Sequence, residues 1–228
     1  GCPKMVDLSY NLKYQNMIKI VLADDHALVR MGFKMLLENE ADIEVVCEVE
    51  SGEAACSAIL EKKIDFDVLV IDLTMGGISG IEATRRIISH KSDIKILGLS
   101  AHEDPSYIRH MMHAGASAYL SKRSAPDSLI TAIRAINAGQ LFIDPHLKNL
   151  IAERQQNPDT NPIDVLSEKE FEVFIHLARG ASANDVAEIL HVSPRTTGTH
   201  LYNIKQKLNA STQSDLTLIA LRHDLIKP

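Results

Sequence analysis

Four short apolar segments of this chain each end at an acid, a hydroxyl or an amine. The segments and the residues after them are Ile18–Ala23 before Asp24 and Asp25, Val68–Ile71 before Asp72, Ile94–Leu99 before Ser100, and Ala118–Leu120 before Ser121 and Lys122. Nearly continuous apolar segments separated by helix-length stretches are typical of parallel strands that are buried on both faces. Ligands of such sheets bind outside the carboxyl ends of the strands. The pattern therefore predicts that three carboxylates, a hydroxyl and an ammonium converge on one site.

These residue types suit phosphoryl transfer. Asp24, Asp25 and Asp72 would repel one another unless a divalent cation lay among them, and Mg²⁺ prefers carboxylate, carbonyl and water oxygens. The cation would lower the negative charge around Asp72 enough for its carboxylate to attack phosphorus. Ser100 and Lys122 are suited to donating hydrogen bonds to phosphoryl oxygens. Any one acid is equally well explained as a helix cap, as Asp25 is before a predicted helix, but the ordered set favours a shared site.

Residues 18–138 resemble the receiver domain of bacterial two-component response regulators, which has a flavodoxin-like (βα)5 fold. The matching motifs are Asp24-Asp25, Asp72-Leu73-Thr74-Met75, Ser100 and Gly115–Lys122. The resemblance implies that Mg²⁺ is the cofactor, that a cognate sensor histidine kinase is the phosphodonor, and that any catalysis is confined to the protein's own aspartate. The implied roles are Asp72 as phosphoacceptor, Asp24, Asp25, Asp72 and the Thr74 carbonyl as metal ligands, and Ser100, Lys122 and Tyr119 as phosphoryl-binding and switch residues.

One departure from the receiver pattern lies beside the phosphoacceptor. The family has proline after the methionine of the motif, whereas this chain has Gly76 followed by Gly77. Two glycines leave a loop less preorganised, so we expect altered phosphorylation kinetics with no loss of side-chain chemistry. An enzyme of the haloacid-dehalogenase type also forms an aspartyl phosphate, but it needs a second aspartate two residues after the nucleophile. This chain has Thr74 at that position, which argues against such an enzyme.

The composition fits two folded domains. The chain has 228 residues, 45% of them hydrophobic and only 4% aromatic, which suits aliphatic α/β and helical cores at about 150 residues per domain. No apolar stretch approaches the roughly 20 residues of a membrane span, and no signal peptide precedes the first strand. We therefore expect a cytoplasmic protein without a membrane partner. The three cysteines predict no disulfide framework. The ten histidines are dispersed, with no pair at metal spacing joined to acids, which predicts surface or packing roles.

Turn and linker signals divide the chain into four parts. Residues 1–16 carry no periodic pattern and are interpreted as an N-terminal extension, native or left over from cloning. The receiver domain is predicted over 17–138, with alternating strands and helices. A linker over 139–162 contains a short helix that begins at Asp144-Pro145, since proline is tolerated at the first helical position. The second domain is predicted over 163–228.

The second domain is predicted to consist of four helices. Ser167 and Glu170 form a capping-box pattern at the start of the first. A short turn at His191-Val192 leads to Ser193-Pro194, the predicted start of a third helix that runs to about Leu208. Helix, tight turn and helix make the helix-turn-helix pattern, whose second helix enters the major groove of DNA. Generic helical bundles share this spacing, so the spacing alone leaves both interpretations open.

Residues 166–210 resemble the helix-turn-helix domain of LuxR-type regulators, and with the receiver the chain resembles the NarL/FixJ subfamily. The matching motifs are Leu166–Glu170, Ala178–Ser182, Val186-Ala187, Ser193–Thr196, His200 and Ile204–Leu208. The resemblance implies that double-stranded promoter DNA is a partner, that the phosphorylated protein is a homodimer, and that RNA polymerase is a further partner. The residues expected to contact DNA are Arg195, Thr196, Thr199, Tyr202, Lys205 and Lys207.

The predicted recognition helix departs from the LuxR-type pattern. The family has a hydrophobic residue and then a groove-facing lysine where this chain has Thr197 and Gly198. Glycine inside a helix also costs about 1 kcal/mol relative to alanine. Residues 163–228 contain seven Lys/Arg against eight Asp/Glu, a net charge of −1 that is unusual for a DNA-binding module. We expect weak, dimer-dependent DNA binding. The alternative left open is a receiver-controlled interaction protein that has lost DNA binding.

Overall fold

The structure is a computed structural model that describes residues 17–156 and 161–226. The predicted N-terminal extension, residues 1–16, lies outside the described residues. The centre of the predicted linker, residues 157–160, and residues 227–228 also lie outside them.

The first region is a six-stranded parallel sheet. Its strands are β1 (Ile18–Ala23), β2 (Ile43–Val49), β3 (Val68–Asp72), β4 (Lys95–Ser100), β5 (Ala118–Ser121) and β6 (Phe142–Ile143), in the order β2-β1-β3-β4-β5-β6. The first five confirm the predicted flavodoxin-like (βα)5 arrangement. β6 was not predicted, because two residues are too few to show a strand pattern. It pairs in parallel with β5 and extends the sheet beyond residue 138, where the receiver was predicted to end.

Five helices cover the two faces of this sheet. They are α1 (Ala27–Glu38), α2 (Gly52–Cys56, continued by a wider turn over Ser57–Glu61), α3 (Gly80–His90), α4 (Pro105–His113) and α5 (Ala125–Asn137). The sheet contributes to two apolar cores, one on each face. Because both faces are covered, every residue of β3 is buried, which accounts for its unbroken apolar sequence.

The order of the strands positions the candidate site. β1 and β3 lie side by side, with Ala23 paired with Ile71. The strands that follow them in sequence, β2 and β4, lie on opposite sides of this pair. The connections therefore diverge and leave a crevice at the carboxyl ends of β1 and β3. Asp24 and Asp72 are thereby brought to the same crevice from positions far apart in the sequence.

The second region is helical. It contains α6 (Pro145–Gln156), a short 3-10 turn (Pro162–Val165), α7 (Glu168–Ala178), α8 (Ala183–Leu190), α9 (Pro194–Leu208) and α10 (Gln213–Arg222). The predicted capping box is present at the start of α7, where Glu170 N–H donates to Ser167 Oγ at 3.2 Å and Ser167 N–H donates to Glu170 Oε2 at 2.9 Å. His191, at φ 53°, ends α8, and Ser193 caps α9. These two residues make the tight turn of the helix-turn-helix.

Helix α7 joins the two regions. Its residues from Glu170 to Ala178 are buried, and the apolar ones belong to the same core as side chains of the sheet. Phe171 stacks on His110 of α4 with ring centroids 4.2 Å apart and meets Tyr107 edge-on at 5.1 Å. Within the part of the chain that the structure describes, no helix has both the length and the apolar character to cross a membrane.

We expect Gly198→Ala to stabilise the protein by about 1 kcal/mol, because glycine is less favourable than alanine by that amount inside a helix. A Cβ at residue 198 would meet no heavy atom within 4 Å, so the added methyl group causes no clash. The midpoint of urea unfolding, followed by far-ultraviolet circular dichroism, measures the change. Gly180→Ala is the matched control: its space is equally open, but its φ of +97° is strained for alanine, so the midpoint should fall. A lower midpoint for Gly198→Ala would contradict the helical environment assigned to residue 198.

Candidate functional site

Three aspartates meet at the carboxyl ends of β1 and β3, in the crevice that the strand order creates. Asp24 and Asp72 are each only 1% exposed, whereas Asp25 faces solvent. One oxygen of each carboxylate and one ring nitrogen of His26 all lie within 4.8 Å of one another. The turn into α1 brings the exposed His26 ring to Asp25, with Nδ1 and Oδ1 2.7 Å apart, a contact that was not predicted.

Lys122 balances the two buried aspartates. Its Nζ donates to Asp24 Oδ2 at 2.7 Å and to Asp72 Oδ2 at 2.8 Å. Burial works to lower the pKa of Lys122, but the charges and hydrogen bonds of Asp72 and Asp24 outweigh it and raise the pKa. Burial also raises the pKa of Asp72, and Lys122 opposes that rise. One ammonium against three carboxylates leaves a net negative charge, and such a cluster of oxygen donors suits a hard divalent cation.

Two carboxylates accept hydrogen bonds from the backbone of the loop after Asp72. Gly76 N–H donates to Asp25 Oδ2 at 3.1 Å, and Ile78 N–H donates to Glu53 Oε1 at 2.9 Å. Gly77 has φ +76°, and a Cβ there would lie 2.4 Å from Glu53 Oε1. The positive φ favours glycine at this position, and the backbone of the loop is bonded to two carboxylates where the family has a proline.

Ser100 and Tyr119 both connect to the segment that follows β4. Ser100 is fully buried; its carbonyl accepts from Lys122 N–H at 2.7 Å, and its Oγ accepts from His102 N–H at 2.9 Å. Tyr119 is also fully buried, and its hydroxyl donates to the His102 carbonyl at 2.9 Å. The Tyr119 ring is therefore already inside the protein, and its hydroxyl is bonded to the segment around His102.

His102 touches the helical region directly. Its ring stacks on Tyr107 with centroids 4.8 Å apart, and its Nδ1 lies 3.0 Å from the carbonyl oxygen of Asp224. Tyr107 Oη donates to the carbonyl of Leu225 at 2.8 Å. The turn after α10 is thus bonded to His102, which lies two residues after Ser100, and to Tyr107 of α4. Sequence reasoning missed this link, because nothing in the sequence pairs position 102 with the end of the chain.

Two carboxylates fasten α7 and α3 together. Glu172 Oε1 accepts Ser79 N–H at 3.0 Å, and Oε2 accepts from the Ser79 hydroxyl, so a residue of α7 is bonded to the N-cap residue of α3. Glu82 is 2% exposed and bonded to Arg85, Arg86 and Lys169. Burial works to raise the pKa of Glu82, but these cations outweigh it and lower the pKa to about 2. Lys169 belongs to α7, so the cluster spans the boundary between the regions.

The residues expected to contact DNA lie on α9 in two different settings. Arg195, Thr196, Thr199 and Tyr202 are exposed, with Tyr202 at 65%. Lys205 is half-buried. The Nζ of Lys207 donates to Glu170 Oε2 of α7 at 2.7 Å, so this ammonium already has a partner within its own domain.

Comparison with known proteins agrees with these features. Residues 20–134 match the response regulator receiver domain, and residues 164–220 match the bacterial regulatory proteins of the luxR family. The response regulator UvrY of Escherichia coli (strain K12) is 36% identical over 211 residues, which cover 92% of this chain and 96% of UvrY. The response regulator GacA of Pseudomonas syringae is 33% identical over 212 residues, which cover 92% of this chain and 98% of GacA.

A solved structure of RcsB from Salmonella enterica serovar Typhimurium, bound to a promoter in the presence of a phosphomimetic, has a TM-score of 0.71 and 25% identity. It covers 90% of this chain and 98% of the RcsB chain. The parallel sheet with its acidic crevice, the helix-turn-helix and the similarity over nearly the whole length lead to one conclusion. The chain is a two-component response regulator of the NarL/FixJ family, with a receiver domain followed by a LuxR-type DNA-binding domain.

Proposed function

We propose that this protein is a transcriptional regulator that accepts a phosphoryl group on Asp72 from a cognate sensor histidine kinase and, as a dimer, binds promoter DNA through α9. The observation that carries the proposal is the setting of Asp72. It is a buried carboxylate at the end of β3, 2.8 Å from Lys122 and next to Asp24 and Asp25. A nucleophile, a cation and further metal-ligating acids at one strand edge are the parts that phosphoryl transfer needs.

Domains of the receiver family use Mg²⁺ for phosphorylation. In this chain the ion would be held by Asp24, Asp25, Asp72 and the carbonyl of Thr74. The oxygen-rich cluster fits such a hard cation. When bound, Mg²⁺ would supply positive charge that offsets the carboxylates and the incoming phosphoryl oxygens.

Asp72, Lys122 and Ser100 each have a separate role in the transfer of the phosphoryl group. A carboxylate oxygen of Asp72 forms a bond to phosphorus while the P–N bond of the kinase phosphohistidine breaks, and the departing imidazole keeps the electron pair and takes a proton. Lys122 Nζ, which already bonds to Asp72 Oδ2 at 2.8 Å, donates to a phosphoryl oxygen. Ser100 donates a second hydrogen bond from the end of β4.

Movement of Ser100 toward the phosphoryl group transmits the effect of phosphorylation to the helical domain. Because Ser100 Oγ accepts the backbone N–H of His102 at 2.9 Å, the shift pulls on the segment that holds Asp224 and Tyr107. The contacts of this segment with the turn after α10 are then lost, and the domains separate. A local charge change of this kind biases a two-state element rather than pushing directly on the distant domain.

One observation favours a second candidate, a receiver-controlled interaction protein without DNA binding. Lys207, expected on a DNA phosphate, is bonded to Glu170 instead. Gly198 is exposed on the outward side of α9 where the LuxR-type pattern has a lysine. The DNA experiment below separates the two candidates.

The first test of the proposal is phosphorylation. With Mg²⁺ and acetyl phosphate, intact-protein mass spectrometry should show one added phosphoryl group on the wild type and none on Asp72→Asn, which lacks the nucleophilic carboxylate. Chelation of Mg²⁺, or Asp25→Ala, should abolish the addition, because the metal ligands are then incomplete. Asp65→Asn is the control, since Asp65 is an exposed acid whose partner is Lys19 on the other side of the fold. Incorporation that persists in Asp72→Asn would overturn the assignment.

The second test is DNA binding. Gly198→Lys should tighten binding of the phosphorylated protein to its promoter, because it adds a cation on the exposed face of α9. Lys205→Ala should weaken binding to all sequences and reduce the salt slope by about one charge, as expected for a phosphate contact. Thr199→Ala or Tyr202→Ala should blur sequence preference more than they lower nonspecific affinity. Fluorescence anisotropy on promoter and scrambled duplexes at several salt concentrations measures all three effects.

Two variants serve as controls for the DNA experiment. Gly198→Ala separates helix propensity from charge, and Lys62→Ala removes an exposed lysine on the receiver, away from α9. Both should bind DNA as the wild type does, apart from any small gain that a firmer helix gives Gly198→Ala. If Gly198→Lys gains nothing and Lys205→Ala loses nothing, α9 does not face DNA, and the interaction-protein function replaces the proposed one.

A further inference from the structure

The mouth of the phosphoacceptor cleft is lined by both domains. A cavity of about 640 Å³ lies beside Asp25, Thr74 and Lys122 of the receiver, and two residues of the helical domain, Arg179 and Ile226, complete its wall. Arg179 and Thr74 also both line a smaller cavity between the domains. An arginine of the DNA-binding domain therefore faces the site where the phosphoryl group arrives.

The backbone of Arg179 is fixed relative to the receiver. Arg179 is the residue at which α7 ends; its N–H donates to Ile175 O at 3.2 Å, and Gly180 follows with φ +97°. Seven residues earlier in the sequence, Glu172 accepts a hydrogen bond from the backbone N–H of Ser79, the N-cap residue of α3. Because α7 is buried between the other helices of its own domain and the receiver, and Glu172 is bonded to Ser79, the start of the Arg179 side chain has a defined position at the cleft.

The guanidinium of Arg179 has no ion pair or side-chain hydrogen bond to any residue that the structure describes, and the side chain is exposed. Its charge nevertheless acts on the receiver. Burial raises the pKa of Tyr107, the α4 residue that stacks on His102, and the positive charge of Arg179 works against that rise. The guanidinium thus lies near the segment that borders the acceptor site and is available to an anion.

The charge balance of the cleft indicates which anion would use it. Asp24, Asp25 and Asp72 carry three negative charges, which Lys122 and a bound divalent cation together cancel. A phosphodonor then adds negative charge to a neutral site. Among the described residues that line the cavity, Arg179 is the only arginine or lysine besides Lys122.

We propose that Arg179 is a phosphodonor-binding residue: its guanidinium binds the phosphoryl oxygens of a small anionic donor, such as acetyl phosphate, at the mouth of the cleft. The inference rests on the proposed phosphorylation of Asp72. The donor site is complete only while the domains are packed together, because α7 supplies the arginine. Separation of the domains after phosphorylation removes this cation, so the closed form captures the small donor more efficiently than the open form.

The test compares the rate of Asp72 phosphorylation by acetyl phosphate in the full-length protein with Mg²⁺. We expect Arg179→Ala and Arg179→Gln to lower the rate at low donor concentration by about fivefold, the effect of one partly solvated charge pair. The apparent KM for the donor should rise, whereas the maximal rate stays within about twofold, because Arg179 binds the donor and does not touch Asp72. The salt dependence of the rate should become flatter in both variants.

Three controls keep a charge effect distinct from a packing effect. Arg179→Lys keeps the charge and should retain most of the wild-type rate. Arg179→Gln keeps much of the side-chain length but loses the charge, so its rate should fall. Arg222→Ala removes an exposed arginine from α10 of the same domain, outside this cavity, and should leave the rate unchanged. Limited proteolysis should show the same domain packing in the wild type and in Arg179→Gln.

The outcomes that overturn the inference leave the proposed function standing. Arg179→Gln with an unchanged KM would mean that the guanidinium does not bind the donor. A faster reaction in Arg179→Ala would mean that this residue obstructs the cleft. An equal loss in Arg222→Ala would reduce the effect to overall charge. Failure of the wild type to become phosphorylated, or phosphorylation of Asp72→Asn, would instead refute the proposed function.

Discussion

The contact of one ammonium with two buried carboxylates is the constraint on which the rest of the receiver depends. Asp24 and Asp72 are 1% exposed, and Lys122 bonds to both. Burying either carboxylate without a cation would destabilise the fold by several kcal/mol. The end of β5, which leads into Lys122, must therefore lie across from the ends of β1 and β3. The strand order provides that geometry, since β4 alone separates β3 from β5. Lys122 therefore neutralises part of the charge of the site, and the net negative charge that remains suits a metal ion, which in turn suits a phosphoryl group.

The same edge of the sheet is where the helical domain is attached. Glu172 bonds to Ser79, the N-cap residue of α3 just after the phosphoacceptor loop, and the turn after α10 is bonded to His102 and Tyr107. The receiver residue in each of these contacts lies within seven positions of Asp72 or Ser100 in the sequence. A change in charge at Asp72 therefore acts on the domain contact over a short physical distance, without a long chain of coupled side chains. The exposed outward side of α9 is a separate surface, which the attachment leaves to solvent.

Much of the fold followed from local sequence patterns. Apolar segments ending at Asp24, Asp72, Ser100 and Lys122 predicted the strands and the crevice, and Ser167 with Glu170 predicted the start of α7. These patterns work because buried parallel strands and helix caps depend on neighbours in sequence. β6 escaped prediction because two residues show no periodicity.

The remaining features depend on tertiary partners that a single sequence does not reveal. His26 joined the acids through the turn into α1, and Gly77 adopts a positive φ in a loop that Glu53 of α2 holds. Lys207 was predicted to contact DNA, but its ammonium is bonded to Glu170 of α7. Which face of the receiver meets the helical domain was likewise set by packing between α4 and α7.

The central claim is that phosphorylation of Asp72 releases the helical domain through the segment around His102. Amide hydrogen exchange of the full-length protein, with and without beryllium trifluoride anion and Mg²⁺, tests it most directly. The account predicts faster exchange in residues 221–226 and in α7 when the phosphoryl mimic is bound, and no change in Asp72→Asn treated in the same way. Identical exchange in these segments with and without the mimic, in a wild-type protein shown to bind it, would contradict the account.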